Sequence, residues 1–220
     1  MAKYLLYFEK RGLIKYTSHL DLLRIYKRAF KKASIPLAYS EGFNPHPKLF
    51  FGQPLPLGYE GAKEPLEFST KEEVSAAAIK TRLNLHLPKG LQVLNVISAE
   101  DDKSPLTGTL KMACYKIRLP LGYEGGDLES QVNNFMDLKE ICAEKQNRKK
   151  KTASVIDIRP LIVEMSGFYE NETPVLSCLL MAGSNENLSP EIVLESFFKY
   201  VKADINRNEI HMERLYLKFE

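Results

Sequence analysis

One order of elements occurs twice in this chain, and that repetition limits its fold more than any single residue does. Residues 4–8 read as a strand, and a helix starts near Ser18. Ser18 as N-cap with Asp21 three positions on makes a variant capping box. Leu22, Tyr26, Ala29, Phe30 and Ala33 then recur at the spacing of a buried helical stripe. Ile35-Pro36 stops this helix. Residues 48–57 and 65–69 are strand-like apolar runs, Thr70 and Glu73 cap a second helix reaching about Leu87, and 91–97 is a further strand. After a polar linker at 101–110 the pattern returns. A strand at 112–121 leads to a helix at 127–142, with Leu128, Val132, Phe135 and Met136 inward. A hairpin of 155–168 with 174–182 follows, closed by 169–172. Ser189-Pro190 opens a helix that buries Leu194, Phe197, Phe198 and Val201, and 210–219 closes the set. Each half reads βαββαβ. The expectation is an α+β protein of two tandem ferredoxin-like halves with antiparallel sheets, as a domain at 1–100, the linker, and a domain at 111–220.

Between the first helix and its following strand lies Tyr39-Ser-Glu-Gly-Phe-Asn-Pro-His-Pro-Lys48. Pro45 and Pro47 remove backbone donors and hold Asn44 and His46 extended, while Gly42 permits a turn or the close approach of another chain. A loop that only connects needs none of this chemistry. It reads as a preorganised recognition surface, with a rigid structural turn as the alternative.

Charge points the same way. The net charge of +3 conceals ten Lys and Arg against Glu9, Asp21 and Glu41 between Lys3 and Lys48. The helix face opposite the core carries Arg24, Lys27, Arg28, Lys31 and Lys32, a ridge suited to phosphates. Tyr39 and Phe43 offer rings for base stacking, Lys48 a further cation, and Asn44 and His46 groups to read base edges or sugar hydroxyls. In the second half, Arg148 to Lys151 and Arg159 form another basic concentration. Arg159 reads equally as a phosphate clamp with Lys149, Lys150 and Lys151, or as the partner of Asp157 in a structural ion pair.

Several classes are excluded or made unlikely by what the sequence lacks. No apolar run approaches the roughly 20 residues of a membrane helix. MAKYLLYFEKRG reads as a first strand rather than a signal peptide. Cys114, Cys142 and Cys178 are too far apart for a zinc ribbon or an iron–sulfur cluster, and suggest reduced, buried thiols in a cytoplasmic protein. No Walker loop, GxGxxG, HExxH or GxSxG pattern occurs, so no cofactor or metal is expected. His19 and His46 are the candidates for general acid–base cleavage of RNA. His86 and His211 read as structural or surface positions.

Ser18-His-Leu-Asp21, the 39–48 segment, Pro54-Leu-Pro-Leu-Gly58 and Asp157-Ile-Arg-Pro160 together resemble the radical-SAM-linked bacterial domain of unknown function. The resemblance runs over essentially the whole chain and implies a radical SAM partner. This chain has no CxxxCxxC triad, so any radical chemistry belongs to that partner. In layout the chain is also similar to the repeat-associated RNA-processing proteins of CRISPR systems, which bind RNA and in some cases cut it. Their glycine-rich loop near the C-terminus is absent here, Gly183 being isolated, so the similarity implies binding more than cleavage. The expected function is an RNA-binding accessory protein of a radical SAM enzyme in tRNA or rRNA modification or processing. The alternatives are a metal-independent endoribonuclease using His19 and His46, and a module that docks the radical SAM partner without RNA.

Overall fold

The computed structural model describes residues 1–99, 106, 110–121, 123, 126–147, 152–184 and 186–219. They form an α+β protein with mostly antiparallel strands and four α-helices among the described residues. The chain divides into two compact units, Met1–Leu110 with Arg214–Glu220, and Lys111–Glu213.

In the first unit the order is β1 (Ala2–Lys10), a 3-10 turn (Gly12–Tyr16), α1 (His19–Lys32), β2 (Leu49–Phe51), β3 (Glu60–Thr70), α2 (Ala76–Asn84) and β4 (Leu91–Ala99). The sheet order is β4-β1-β3, with β2 on the other edge of β3, and these pairings are antiparallel. Tyr4, Leu6, Phe8 and Lys10 alternate into the interior from β1, as the two-residue strand period requires. Leu6 pairs with Leu66 and Tyr4 with Phe68. Phe68 stacks on Tyr4 at 5.2 Å and meets Phe30 of α1 at 4.8 Å.

Helix α1 begins as its sequence dictates. The Ser18 hydroxyl accepts from the Asp21 amide at 3.2 Å, and Leu22, Tyr26, Ala29, Phe30 and Ala33 are buried. Its end is closed by Ser34 and Ile35, whose amides donate to Lys31 and Phe30. Ser34 sits at φ +52, in the left-handed region where a helix end favours glycine. Ser34→Gly should therefore stabilise the protein by about 0.5–1 kcal/mol, read from the urea midpoint. A lower midpoint would contradict this account of the helix end.

Helix α2 starts later than its sequence suggests. Ser75, not Thr70 with Glu73, accepts from an N-terminal amide, that of Ala78. The physical reason lies in Tyr4. Its hydroxyl donates to the Val74 carbonyl at 2.8 Å and accepts from the Val74 amide at 2.9 Å, holding that residue outside the helix. The run expected as a strand at 48–57 is likewise short. It stops at Phe51, because Pro54 and Pro56 withhold amides from any ladder.

The second unit contains β5 (Leu110–Arg118), α3 (Leu128–Met136), β6 (Cys142–Asn147), β7 (Thr152–Asp157), β8 (Ile162–Glu170), β9 (Thr173–Met181), α4 (Pro190–Val201) and the start of β10 (His211–Phe219). The order is β10-β5-β9-β8, while β6 and β7 pair only with each other. Leu128, Val132 and Phe135 of α3 and Val193, Leu194 and Phe197 of α4 are buried, with Phe135 and Phe197 in edge contact at 5.4 Å. The β8–β9 turn is tighter than expected. Glu170 pairs with Thr173, leaving Asn171 and Glu172 at positive φ in a two-residue connection.

Two expectations fail in this unit. The helix expected at 127–142 ends at Met136, and Cys142 begins a strand. The strand expected at 155–168 is broken by a 3-10 turn at Arg159–Leu161. Asp157 explains the break, since its carboxylate accepts from the amides of Ile141 and Arg159 and ties the end of β7 to the start of β6.

The thiols also differ from expectation in one place, because Cys142 is exposed while Cys114 and Cys178 are buried. Burial, and then the neighbouring Cys114, push the Cys178 thiol up to about 12. A maleimide should label Cys142 rapidly in the folded protein and reach Cys114 and Cys178 only on unfolding, as peptide mass mapping would show. Equal labelling of all three would contradict this packing.

Candidate functional site

The first unit is fastened by a buried ionic cluster. Arg214 donates to both Glu64 carboxylate oxygens, at 2.9 and 2.5 Å, and to the side chain and backbone carbonyl of Gln53 at 2.8 and 2.7 Å. Lys10 is buried beside them, and its ammonium donates to the Lys15 and Thr17 carbonyls at 3.2 and 3.0 Å. Burial holds the Lys10 pKa below the usual lysine range, against the opposing pull of Glu64. These bonds fix the chain entering α1 and so the pitch of its outer face. The cluster is closed to solvent, and its role is support.

The 38–48 segment is pinned at its base as an extension of the sheet. The Ala38 amide donates to Ser69, that of Lys48 to Ala38, and that of Ser69 to Lys48, at 2.8 to 3.0 Å. Above this base Tyr39 bridges Pro47, the Ser40 amide donates to His46, and the His46 amide donates to the Ser40 hydroxyl. These contacts close the neck of the loop. They leave Glu41, Gly42, Phe43 and Asn44 as an exposed tip, with Gly42 at φ +118.

Where α1 ends and this loop begins there is an open pocket of roughly 650 Å³. Lys27, Arg28 and Lys31 line one side, and Lys71, on the chain leaving β3, lines another. Pro36, half-buried, supplies apolar surface over the buried Phe30, Ile35 and Leu37, and Tyr39, half exposed, contributes its ring. The Lys71 amide donates to the Pro36 carbonyl at 2.8 Å, which fixes the backbone beneath that cation. Among the described residues no carboxylate lines the pocket and none of its four cations is held in a salt bridge. Such an arrangement attracts a polyanion and offers a flat ring beside it.

The other expected site residues fall in different places. Arg24 is exposed on the same helix but outside the pocket lining. It binds the Asp21 carboxylate at 2.7 Å, and the Ser18 hydroxyl and then Arg24 hold the Asp21 pKa below its usual range. Phe43, Asn44 and His46 stand on the exposed loop, outside the lining. Lys48 is half-buried with Nζ 3.8 Å from the Met1 sulfur. His19 packs edge-on against Phe51 at 5.2 Å, at the opposite end of α1 from the pocket. His46 donates its amide to the Ser40 hydroxyl on the loop, and His19 lies beside β2.

Arg159 is half-buried, and its guanidinium donates to the backbone carbonyls of Met136 at 2.8 Å and Ile162 at 3.2 Å. It fastens the end of α3 to β8, and Asp157 accepts the Arg159 amide rather than facing its guanidinium. Lys149, Lys150 and Lys151 lie outside the described residues. Lys71 is the residue that the sequence reading missed. An isolated lysine after a strand carries no local signal, and only the pairing of β3 brings it beside α1.

An α+β chain with an acid-free cationic pocket beside a proline-stiffened loop is the class that this geometry defines. The chain belongs to a family described as uncharacterized protein conserved in bacteria (DUF2344), which it matches over residues 3–190. That span includes α1, the 38–48 segment and Lys71. No curated protein matches the chain. Among solved structures, the crystal structure of an unknown protein from Galdieria sulphuraria is similar at 12% identity, covering 98% of this chain and 99% of that one, with a TM-score of 0.27.

Proposed function

We propose that this protein binds single-stranded or looped RNA in the pocket at the end of α1 and presents it, in the cytoplasm, to a radical SAM enzyme that modifies tRNA or rRNA. The observation that carries the RNA reading is the convergence of Lys27, Arg28, Lys31 and Lys71 with the Tyr39 ring, and with no carboxylate among them. Cations supply salt-dependent attraction to phosphates, and an accessible ring stacks a base of any identity. The radical SAM partner rests on the sequence resemblance alone. We further read the two units as tandem ferredoxin-like halves. The order β4-β1-β3-β2 and its counterpart β10-β5-β9-β8 support that reading, with β6–β7 as an insertion.

Binding of a labelled RNA mixture tests the RNA reading. Affinity should fall steeply with salt and should be lost when the four lining cations become alanine. Binding that is indifferent to both salt and these substitutions sinks it.

A second reading is favoured by Phe43, which stands fully exposed at the loop tip outside the pocket lining. An exposed aromatic is a common anchor in protein interfaces, and this one suits docking of the radical SAM partner. Co-purification that survives nuclease and high salt, and that is lost in Phe43→Ala, would support it.

A further inference from the structure

We infer that the pocket receives a phosphorylated nucleotide end, a terminal phosphate with its nucleoside, rather than the interior of a nucleic-acid strand. This rests on the RNA-binding reading and narrows its ligand. A ridge of cations along one helix would follow a strand that carries one charge per nucleotide. Here the cations do not form only a ridge. Lys27, Arg28 and Lys31 come from α1, and Lys71 comes from the chain leaving β3, so charge converges on one cavity from two elements.

Four cations within roughly 650 Å³ exceed what a single phosphodiester neutralises. They suit a terminal phosphate, which carries about −1.5 to −2 near neutral pH and three acceptor oxygens. The volume lies within the range of small-ligand pockets, about 300–1,000 Å³. The apolar face of Pro36 cannot bind phosphate but suits a sugar, and the half-exposed Tyr39 ring is available to stack a base. The unfavourable negative end of α1 is muted, because its last carbonyls already accept the Ser34 and Ile35 amides.

The same chemistry has two sources, the end of an RNA chain and a free mononucleotide. Fluorescence anisotropy on the full chain separates them, using a ten-nucleotide single-stranded RNA with a 5′-phosphate, a 3′-phosphate or neither, at fixed ionic strength. One phosphorylated form should bind about tenfold tighter than the unphosphorylated one. Lys71→Ala should collapse that ratio towards one, and Lys71→Arg should restore it. Adenosine 5′-monophosphate that competes at matching concentration assigns the pocket to free nucleotides as well, and failure to compete assigns it to chain ends. Equal affinity of all three oligonucleotides for the wild-type protein overturns the inference while leaving RNA binding intact. Absence of binding by all three overturns the RNA reading too.

Discussion

Glu64→Ala should cost about 3–5 kcal/mol of stability, the usual penalty for removing one partner of a buried ion pair. The carboxylate sits between two interior cations. Both its oxygens accept from Arg214, and it is the group whose charge opposes desolvation of Lys10. Without it two neighbouring buried positive groups lose the carboxylate that both interact with, and keep the neutral acceptors of Gln53, Lys15 and Thr17. A double substitution, Glu64→Leu with Arg214→Met, should cost much less than Glu64→Ala, since it removes both charges and keeps the volume filled. Urea denaturation of the three proteins reads this order. A Glu64→Ala midpoint equal to that of wild type would mean that the pair is not desolvated as described. Because the Lys10 contacts reach Lys15 and Thr17, just before α1, loss of Glu64 should loosen the start of that helix first.

Removal of the pocket cations should have the largest effect on binding. If Lys27, Arg28, Lys31 and Lys71 together neutralise one terminal phosphate of about two charges, log K should fall with log salt at a slope near −1.4, about 0.7 per charge. That corresponds to about a sevenfold loss of affinity between 50 and 200 mM salt. Alanine at all four positions should remove most of this slope without unfolding the protein, because all four side chains reach solvent. Arg24→Ala should change the slope little, since Arg24 is already paired with Asp21. A slope that survives the fourfold substitution would move the binding surface elsewhere, and the run at Lys145 to Lys151 is the next place to look.

Local features were the legible ones. The Ser18 cap and the stripe from Leu22 to Ala33 each depend on neighbours within a few positions, and each is present. Features set by distant residues were not legible. Tyr4 displaces the start of α2 through Val74, seventy residues away in sequence. Asp157 ends β7 by capturing the Ile141 amide. The pairing of β6 with β7 was not expected: the expected helix took in only Cys142 of β6, and Cys-Ala-Glu-Lys-Gln-Asn has no strong alternation of apolar residues. The site follows the same division. The helix cations were visible as a periodic ridge, whereas Lys71 joins them only through tertiary pairing. Arg159 could not be placed by sequence, since its two carbonyl acceptors lie 23 and 3 positions away.

Ultraviolet crosslinking of the full chain to a single-stranded RNA, followed by peptide mass spectrometry, tests the central claim most directly, because it forms bonds only where a base touches the protein. The account predicts an adduct on Tyr39, lost when Lys27, Arg28, Lys31 and Lys71 are replaced by alanine. Adducts confined to the second unit, or an unchanged yield at Tyr39 in that variant, would contradict it.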